Sequence, residues 1–224
     1  LNEKSAFAVI AIDGPAASGK STVARQLARS LGFSFVNSGA MYRAVAWLAH
    51  VHKLNPSDNT AVAKQLAAGA FQFGISEKES FVLVDGENPE KHLKEEVVNR
   101  TVSAISALPE VRAFLLPHLR GFAGLDNIVM EGRDIGSTVF PETVFKFYID
   151  AAPEVRARRR AAQGLKDNLA HRDRVDSSRR SSPLVIADDA EVIDSSSLSI
   201  DGVVDEALRR LRQKGLAGFS EAKR

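Results

Sequence analysis

The chain predicts an α/β fold, a parallel sheet covered by helices on both faces. Three observations carry that prediction. Apolar runs of strand length alternate with helical stretches from near the start of the 224 residues to near their end. The first such run passes through a glycine-rich turn directly into a helical stretch. Only two stretches break the alternation, a β-rich pair of runs at 71–90 and an arginine-rich segment after 153, and both read as lobes or lids set on the core.

Taken in order, Ala6 to Ile12 (AFAVIAI) is an apolar strand, and Ser21 to Leu31 (STVARQLARSL) is an amphipathic helix. Phe33 to Val36 reads as a short strand. A second helix then runs to about His52, with Asn37 or Ser38 as its cap. Asn55-Pro56-Ser57-Asp58 breaks the chain, and Asp58 or Asn59 caps a helix ending near Ala68. FQFGI and SFVLV, with Glu77-Lys78-Glu79 between them, form a small antiparallel ribbon. Helices follow at roughly 92–106 and 109–122, the second opening on Pro109, whose missing N–H costs nothing in a first turn. Asn127 to Met130 and Val144 to Ile149 are buried strands. Pro153 starts a helix, Ala190 to Ile193 is a last strand, and Ser199 to Lys214 a last helix. No internal repeat or low-complexity tract is present.

Composition narrows the function classes. Hydrophobic residues make up 44% of the chain, enough for a substantial core, and 26% are charged, ordinary for a soluble protein. The net charge of +2 is too balanced for a surface that coats nucleic acid, although arginines cluster late in the chain. With no cysteine, disulfides and thiolate metal sites are excluded. No apolar run approaches the roughly 18–20 residues of a membrane span, and the first residues lack a signal-peptide pattern. A cytoplasmic enzyme is the expectation. The five histidines form no metal-ligand spacing.

The residues that carry chemistry begin at the first turn. Gly14-Pro15-Ala16-Ala17-Ser18-Gly19-Lys20-Ser21 has the spacing G-x-x-x-x-G-K-[ST] between strand and helix, the setting of a P-loop. Backbone N–H groups of such a loop point at a phosphate, and the helix N-terminus adds its dipole. Lys20 reaches the β- and γ-phosphates, and the Ser21 hydroxyl can ligate Mg²⁺. Arg43, near Ser38 and Tyr42 in the second helix, could clamp a second phosphate; alone it could equally be a solvated arginine. Glu131-Gly132-Arg133-Asp134 follows an apolar strand beside the P-loop, where an acid can hold the water shell of Mg²⁺. Its bland reading is a structural Arg–Asp pair. The arginines at 156–160 and 172–180 are either a solvated face or a lid that neutralises a transferring phosphoryl group. A GTPase would usually carry N-K-x-D, which is absent.

Assembled in order, these stretches resemble the bacterial-type cytidylate kinases over nearly the whole chain. The motifs are AIDGPAASGKST (11–22), NSGAMYR (37–43), VSAISALPEVR (102–112), EGRDIGSTVFP (131–141), RDRVDSSRRSSPL (172–184) and VIDSSSLSID (192–201). The resemblance implies a P-loop nucleoside monophosphate kinase that moves the γ-phosphoryl of ATP to CMP or dCMP with Mg²⁺, by direct in-line transfer. It implies a five-stranded parallel core in a single P-loop kinase domain, 1–224. An acceptor lobe would span roughly 38–125, with the ribbon near 71–90 as its β insert, and a lid roughly 155–182.

It also distributes roles. Gly14, Pro15, Ala16, Ala17, Ser18, Gly19, Lys20, Ser21 and Thr22 would bind ATP. Ser38, Arg43 and Arg133 would hold the CMP phosphate, and Tyr42 would lie near sugar and base. Ser103, Arg112 and Asp134 would read cytosine, whose amino group donates and whose N3 and O2 accept. Arg172 and Asp176 would contact the sugar side and the closing lid. Arg179, with Arg159 and Arg160, would reach the phosphates, so that Lys20, Arg133, Arg159, Arg160 and Arg179 form the catalytic set. Ser21, and Glu131 through water, would hold Mg²⁺. Three positions depart from the family's usual pattern. Asn37 and Glu131 stand where Asp is common, which bears on the Mg²⁺ shell. Val175 stands where a basic residue is common, a charge that Arg174 or Arg180 would have to replace. A monomer acting on small molecules, without nucleic acid or membrane, is expected. The rivals are a kinase for another acceptor such as UMP, AMP or shikimate, a silent nucleotide binder, and an arginine-rich nucleic-acid binder.

Overall fold

The computed structural model describes residues 7–164, 168–179 and 181–216. The first residue of the expected first strand (Ala6), Arg180 and the chain beyond 216 lie outside them. Seven strands, β1 (Val9–Asp13), β2 (Ser34–Asn37), β3 (Phe71–Ser76), β4 (Glu79–Val84), β5 (Ile128–Glu131), β6 (Phe145–Asp150) and β7 (Glu191–Asp194), form one sheet in the order β3-β4-β2-β5-β1-β6-β7. The helices are α1 (Lys20–Leu31), α2 (Ser38–Val51), α3 (Asn59–Ala68), α4 (Glu96–Ala107), α5 (Pro109–Gly121), α6 (Pro153–Ala162), α7 (Leu169–Ser177) and α8 (Ile200–Gln213).

The five strands β2, β5, β1, β6 and β7 pair in parallel, as the alternating pattern requires. The sheet nevertheless has seven strands, not five. The β3–β4 hairpin joins its edge: Phe35 pairs with Glu79, Phe35 N–H donates to the Lys78 carbonyl at 2.8 Å, and Asn37 N–H donates to Ser80 Oγ at 3.1 Å. The ribbon was expected as an insert in a lobe. Its edge pairing was not visible because it joins residues more than forty positions apart. The hairpin turn itself places Glu77 and Lys78 at positive φ, 50° and 62°, the twist that suits a two-residue connection.

Alternate residues of β1 face opposite sides, and two cores result. Val9 and Ala11 pack with Val36, Met130 and the apolar faces of α2, α4 and α5. Ile10 and Ile12 pack with Phe147, Ile149 and helices α1 and α8. Caps follow local chemistry. Asn37 accepts from Ala40 N–H at the start of α2, Asp58 from Ala61 N–H at α3, and Ser199 from Gly202 N–H at α8. The helix expected from 92 starts later, at Glu96, after a single 3-10 turn at Glu90–His92. A π-helical turn at Ile135–Val139 had no counterpart in the expected elements. No helix among the described residues is long and apolar enough to cross a membrane.

Candidate active site

The site lies where parallel α/β sheets place ligands, at the carboxyl ends of the strands. β1 ends at Asp13 and runs into the loop Gly14–Gly19. Gly14 has φ 151°, and a β-carbon there would collide with the Ile149 carbonyl of β6. Gly19 has φ 92° and caps α1 in the left-handed region, so both glycines are required by backbone shape. The loop stands over a cleft of about 200 Å³. Ala16, Ala17, Gly19, Lys20, Ser21 and Thr22 line the cleft, while Gly14, Pro15 and Ser18 are buried in the loop beneath.

Lys20 is buried, and its Nζ donates to the Pro15 carbonyl at 3.2 Å and lies 3.9 Å from Glu131 Oε2. Burial, with Arg133 adding to it, brings its ammonium down to about 7. Ser21 Oγ donates to Glu131 Oε1 at 2.9 Å. Glu131, the last residue of β5 rather than the first after it, therefore faces the loop. Its backbone carbonyl accepts from Ser38 Oγ at 2.8 Å. One residue thus joins the glycine loop to the start of α2. Gly132 is the tight point: a β-carbon would sit 2.6 Å from Ser38 Oγ and 2.7 Å from Ile135 Cδ1.

Across the cleft stand Ser38, Tyr42, Arg43, Ser103, Arg133, Asp134, Arg172, Asp176 and Arg179. Arg43 reaches the Gly39 carbonyl and Asn99 Oδ1, both at 3.4 Å, and burial together with Arg172 and Arg133 lowers it to about 10. Arg133 Nε donates to Asp176 Oδ2 at 2.8 Å, and Arg179 donates to the other Asp176 oxygen and to Ser106 Oγ at 2.8 Å. Burial alone would raise the Asp176 carboxyl, but these two guanidinium groups hold it below the usual range. Arg112 donates to Asp134 Oδ2 and lies over the Tyr42 ring at 5.6 Å. It does not line the cleft; it sits behind Asp134. Burial raises Asp134 despite Arg112 and Arg179, and raises Tyr42 to about 12.

The arginine-rich segment divides. Arg160 lines the cleft. Arg159 does not: it donates to the Ser18 carbonyl at 3.1 Å and to Ser195 Oγ and the Ser195 carbonyl at 3.0 and 2.7 Å, clamping the loop from outside. Arg156, expected only as one of the arginines at 156–160 and given no site role, donates to the Ala16 carbonyl at 3.2 Å and to Asp173 Oδ2 at 2.6 Å. It links the glycine loop to α7, the helix that carries Arg172 and Asp176. Asp13, Ser106, Asn99 and Ser195 were also missed; each acts through a contact distant in sequence.

The oxygen donors suit a hard cation. Ser21 Oγ and Glu131 Oε1 meet beside Lys20, and among the described residues no group of three or more His, Cys, Asp or Glu could hold a metal alone. A cation that is ligated mainly by substrate phosphates needs only such a pair. Asn37 is spent on capping α2 through its Oδ1.

Comparison with known proteins finds relatives along almost the whole chain. A family profile described as Cytidylate kinase matches residues 10–213. A protein named cytidylate kinase from Pelotomaculum thermopropionicum is 39% identical over 217 residues, covering 92% of this chain and 96% of its own. Another of that name from Geobacillus sp. is 38% identical over 216 residues, with 92% and 96% covered. The bifunctional pantoate ligase/cytidylate kinase of Synechococcus elongatus is 40% identical over 228 residues, covering 95% of this chain but 43% of its own, so the chain spans less than half of that relative.

Proposed function

The chain belongs to the cytidylate kinase family, and from that premise we propose that it transfers the γ-phosphoryl group of ATP to CMP or dCMP, giving ADP and CDP or dCDP. The observation that carries this reading is one cationic cleft that runs from the loop at Lys20 and Ser21 to Asp134, which Arg112 backs. One end suits a polyphosphate. The other presents the Asp134 carboxylate, an acceptor for the cytosine amino group, with the Arg112 guanidinium paired behind it.

In this reading, the loop residues 14–22 hold ATP. Ser38, Arg43 and Arg133 hold the acceptor phosphate, and Ser103, Arg112 and Asp134 read the base. Arg172 and Asp176 border the sugar, with Tyr42 beside sugar and base. Mg²⁺, held by Ser21 and through water by Glu131, would supply charge neutralisation at the β- and γ-phosphates. The acceptor oxygen is already anionic near neutral pH, so no general base is needed. Lys20, Arg133, Arg160 and Arg179 neutralise charge that develops on the transferred group, and positioning does the rest. Arg159 acts one step back, by holding the loop backbone at Ser18. Residues 38–125 serve as the acceptor lobe and 155–182 as the lid of one kinase domain, working as a monomer in the cytoplasm.

The test is ADP release with ATP and Mg²⁺ while CMP, dCMP, UMP, AMP, GMP and shikimate are offered in parallel. Turnover confined to CMP and dCMP supports the reading. Turnover on a different acceptor keeps the kinase and overturns the base-reading residues. ATP binding without turnover on any acceptor favours a silent nucleotide binder.

A further inference from the structure

We propose that Asp13 is the positioning residue for acceptor recognition: its carboxylate, at the floor of the donor loop, fixes the turn that carries Arg133 and Asp134. The role rests on the acceptor reading given above.

Asp13 is the last residue of β1, immediately before Gly14, and is 5% exposed. Both its oxygens are committed to one short piece of backbone. Oδ1 accepts the Ile135 N–H at 2.8 Å and Oδ2 accepts the Gly136 N–H at 2.7 Å. These two N–H groups open the π-helical turn Ile135–Val139, and the first N–H groups of any helical turn have no partner within it. Asp13 therefore caps this turn from a neighbouring strand. On the other side, the Asp134 carbonyl accepts from Thr138 and Val139 N–H at 2.9 and 3.1 Å. The Asp134 backbone is thus held by the turn on one side and, through Asp13, by β1 on the other. That arrangement sets where its carboxylate meets Arg112, and where Arg133 leaves the chain toward Asp176.

Nothing in the proposed transfer uses Asp13 directly, and its burial is costly. Burial drives the carboxyl up to about 7, with Asp134 adding to the rise, against the two N–H bonds and Lys20. An amide of the same shape removes the buried charge but can accept only one of the two N–H bonds, because its nitrogen faces the other donor. Stability and acceptor binding are therefore expected to separate in Asp13→Asn.

The experiment compares Asp13→Asn with the wild type in melting temperature and in KM for CMP and ATP. The expected result is a melting temperature no lower than wild type, a KM for CMP raised about tenfold by the misplaced turn, and a KM for ATP within about twofold. Unchanged KM for CMP, or parallel losses for CMP and ATP together with a lower melting temperature, overturns the role. Should the variant fail to fold, hydrogen exchange at the Ile135 and Gly136 amides of the wild type decides. The role requires both to be protected before CMP is added; exchange that is free until CMP binds overturns it. Absence of wild-type turnover on CMP overturns the proposed reaction and this role with it, whereas wild-type turnover with an unaffected variant overturns the role alone.

Discussion

Replacing Arg112 with Met tests, through its electrostatics, the pair proposed to read the base. Arg112 is 7% exposed and Asp134 3% exposed, so the change leaves a carboxylate buried without its main partner. Removing one member of such a pair costs about 3–5 kcal/mol. Asp134 is already raised by burial, so it can escape by taking up a proton, which places the loss near the lower end, about 3 kcal/mol. For a chain of this size that is a fall of roughly 6–12 °C in melting temperature. Adding Asp134→Asn removes the stranded charge and should recover about 2 kcal/mol, a coupling well above experimental scatter. The assay is urea unfolding of the two single variants and the double variant, followed by the fluorescence of Trp47, the one tryptophan in the chain. In the same variants, KM for CMP should rise far more than KM for ATP. A loss below about 1 kcal/mol for Arg112→Met, or strictly additive single and double variants, would refute the buried-pair reasoning.

Three further outcomes are expected. Lys20→Met should lower kcat by at least about a hundredfold if Lys20 neutralises the transferred phosphoryl group as proposed, with little change in the circular dichroism spectrum, because in the fold its ammonium meets the Pro15 carbonyl and Glu131 at the cleft. Gly132→Ala should destabilise the fold by about 1–3 kcal/mol and weaken CMP, since its β-carbon meets Ser38 Oγ and Ile135; calorimetry and KM read the two effects. Asp13 gives an inverted pH signature. Its carboxyl is raised from 3.8 to about 7, so between those values the folded state holds a proton that the unfolded state has lost. Its contribution to stability therefore falls as pH rises from about 4 to 7, by up to about 1.4 kcal/mol per unit, with Lys20 and Asp134 the charges that face it. Denaturant titrations across that range should show this slope in the wild type and not in Asp13→Asn.

What could be read from the chain and what could not follows the range of each interaction. The glycine loop, the Asn37 and Asp58 caps, the Pro109 helix start and the β3–β4 hairpin depend on neighbouring residues, and their sequence signals match the folded form. The edge pairing of that hairpin with β2 depends on contacts across more than forty residues and leaves no local pattern. The same holds for the site. Lys20, Ser21, Glu131 and the residues across the cleft stand in recognisable motifs. Asp13 was legible only as the residue before a glycine, because its partners are 122 and 123 positions away. Arg156 looked like one basic residue among several. Its meaning comes from the Ala16 carbonyl, 140 positions away, and from Asp173. Arg159 was expected at the phosphates, but the Ser18 and Ser195 carbonyls draw it to the outer side of the loop.

The central claim is the identity of the group transferred and its acceptor. Incubation with ATP labelled at the γ-phosphorus, CMP and Mg²⁺, followed by separation of the nucleotides, tests it most directly. The account predicts that the label appears in CDP at its β-phosphorus, with an equal amount of ADP formed and with no labelled protein. Label found only in inorganic phosphate, or on the protein itself, would contradict direct transfer to CMP.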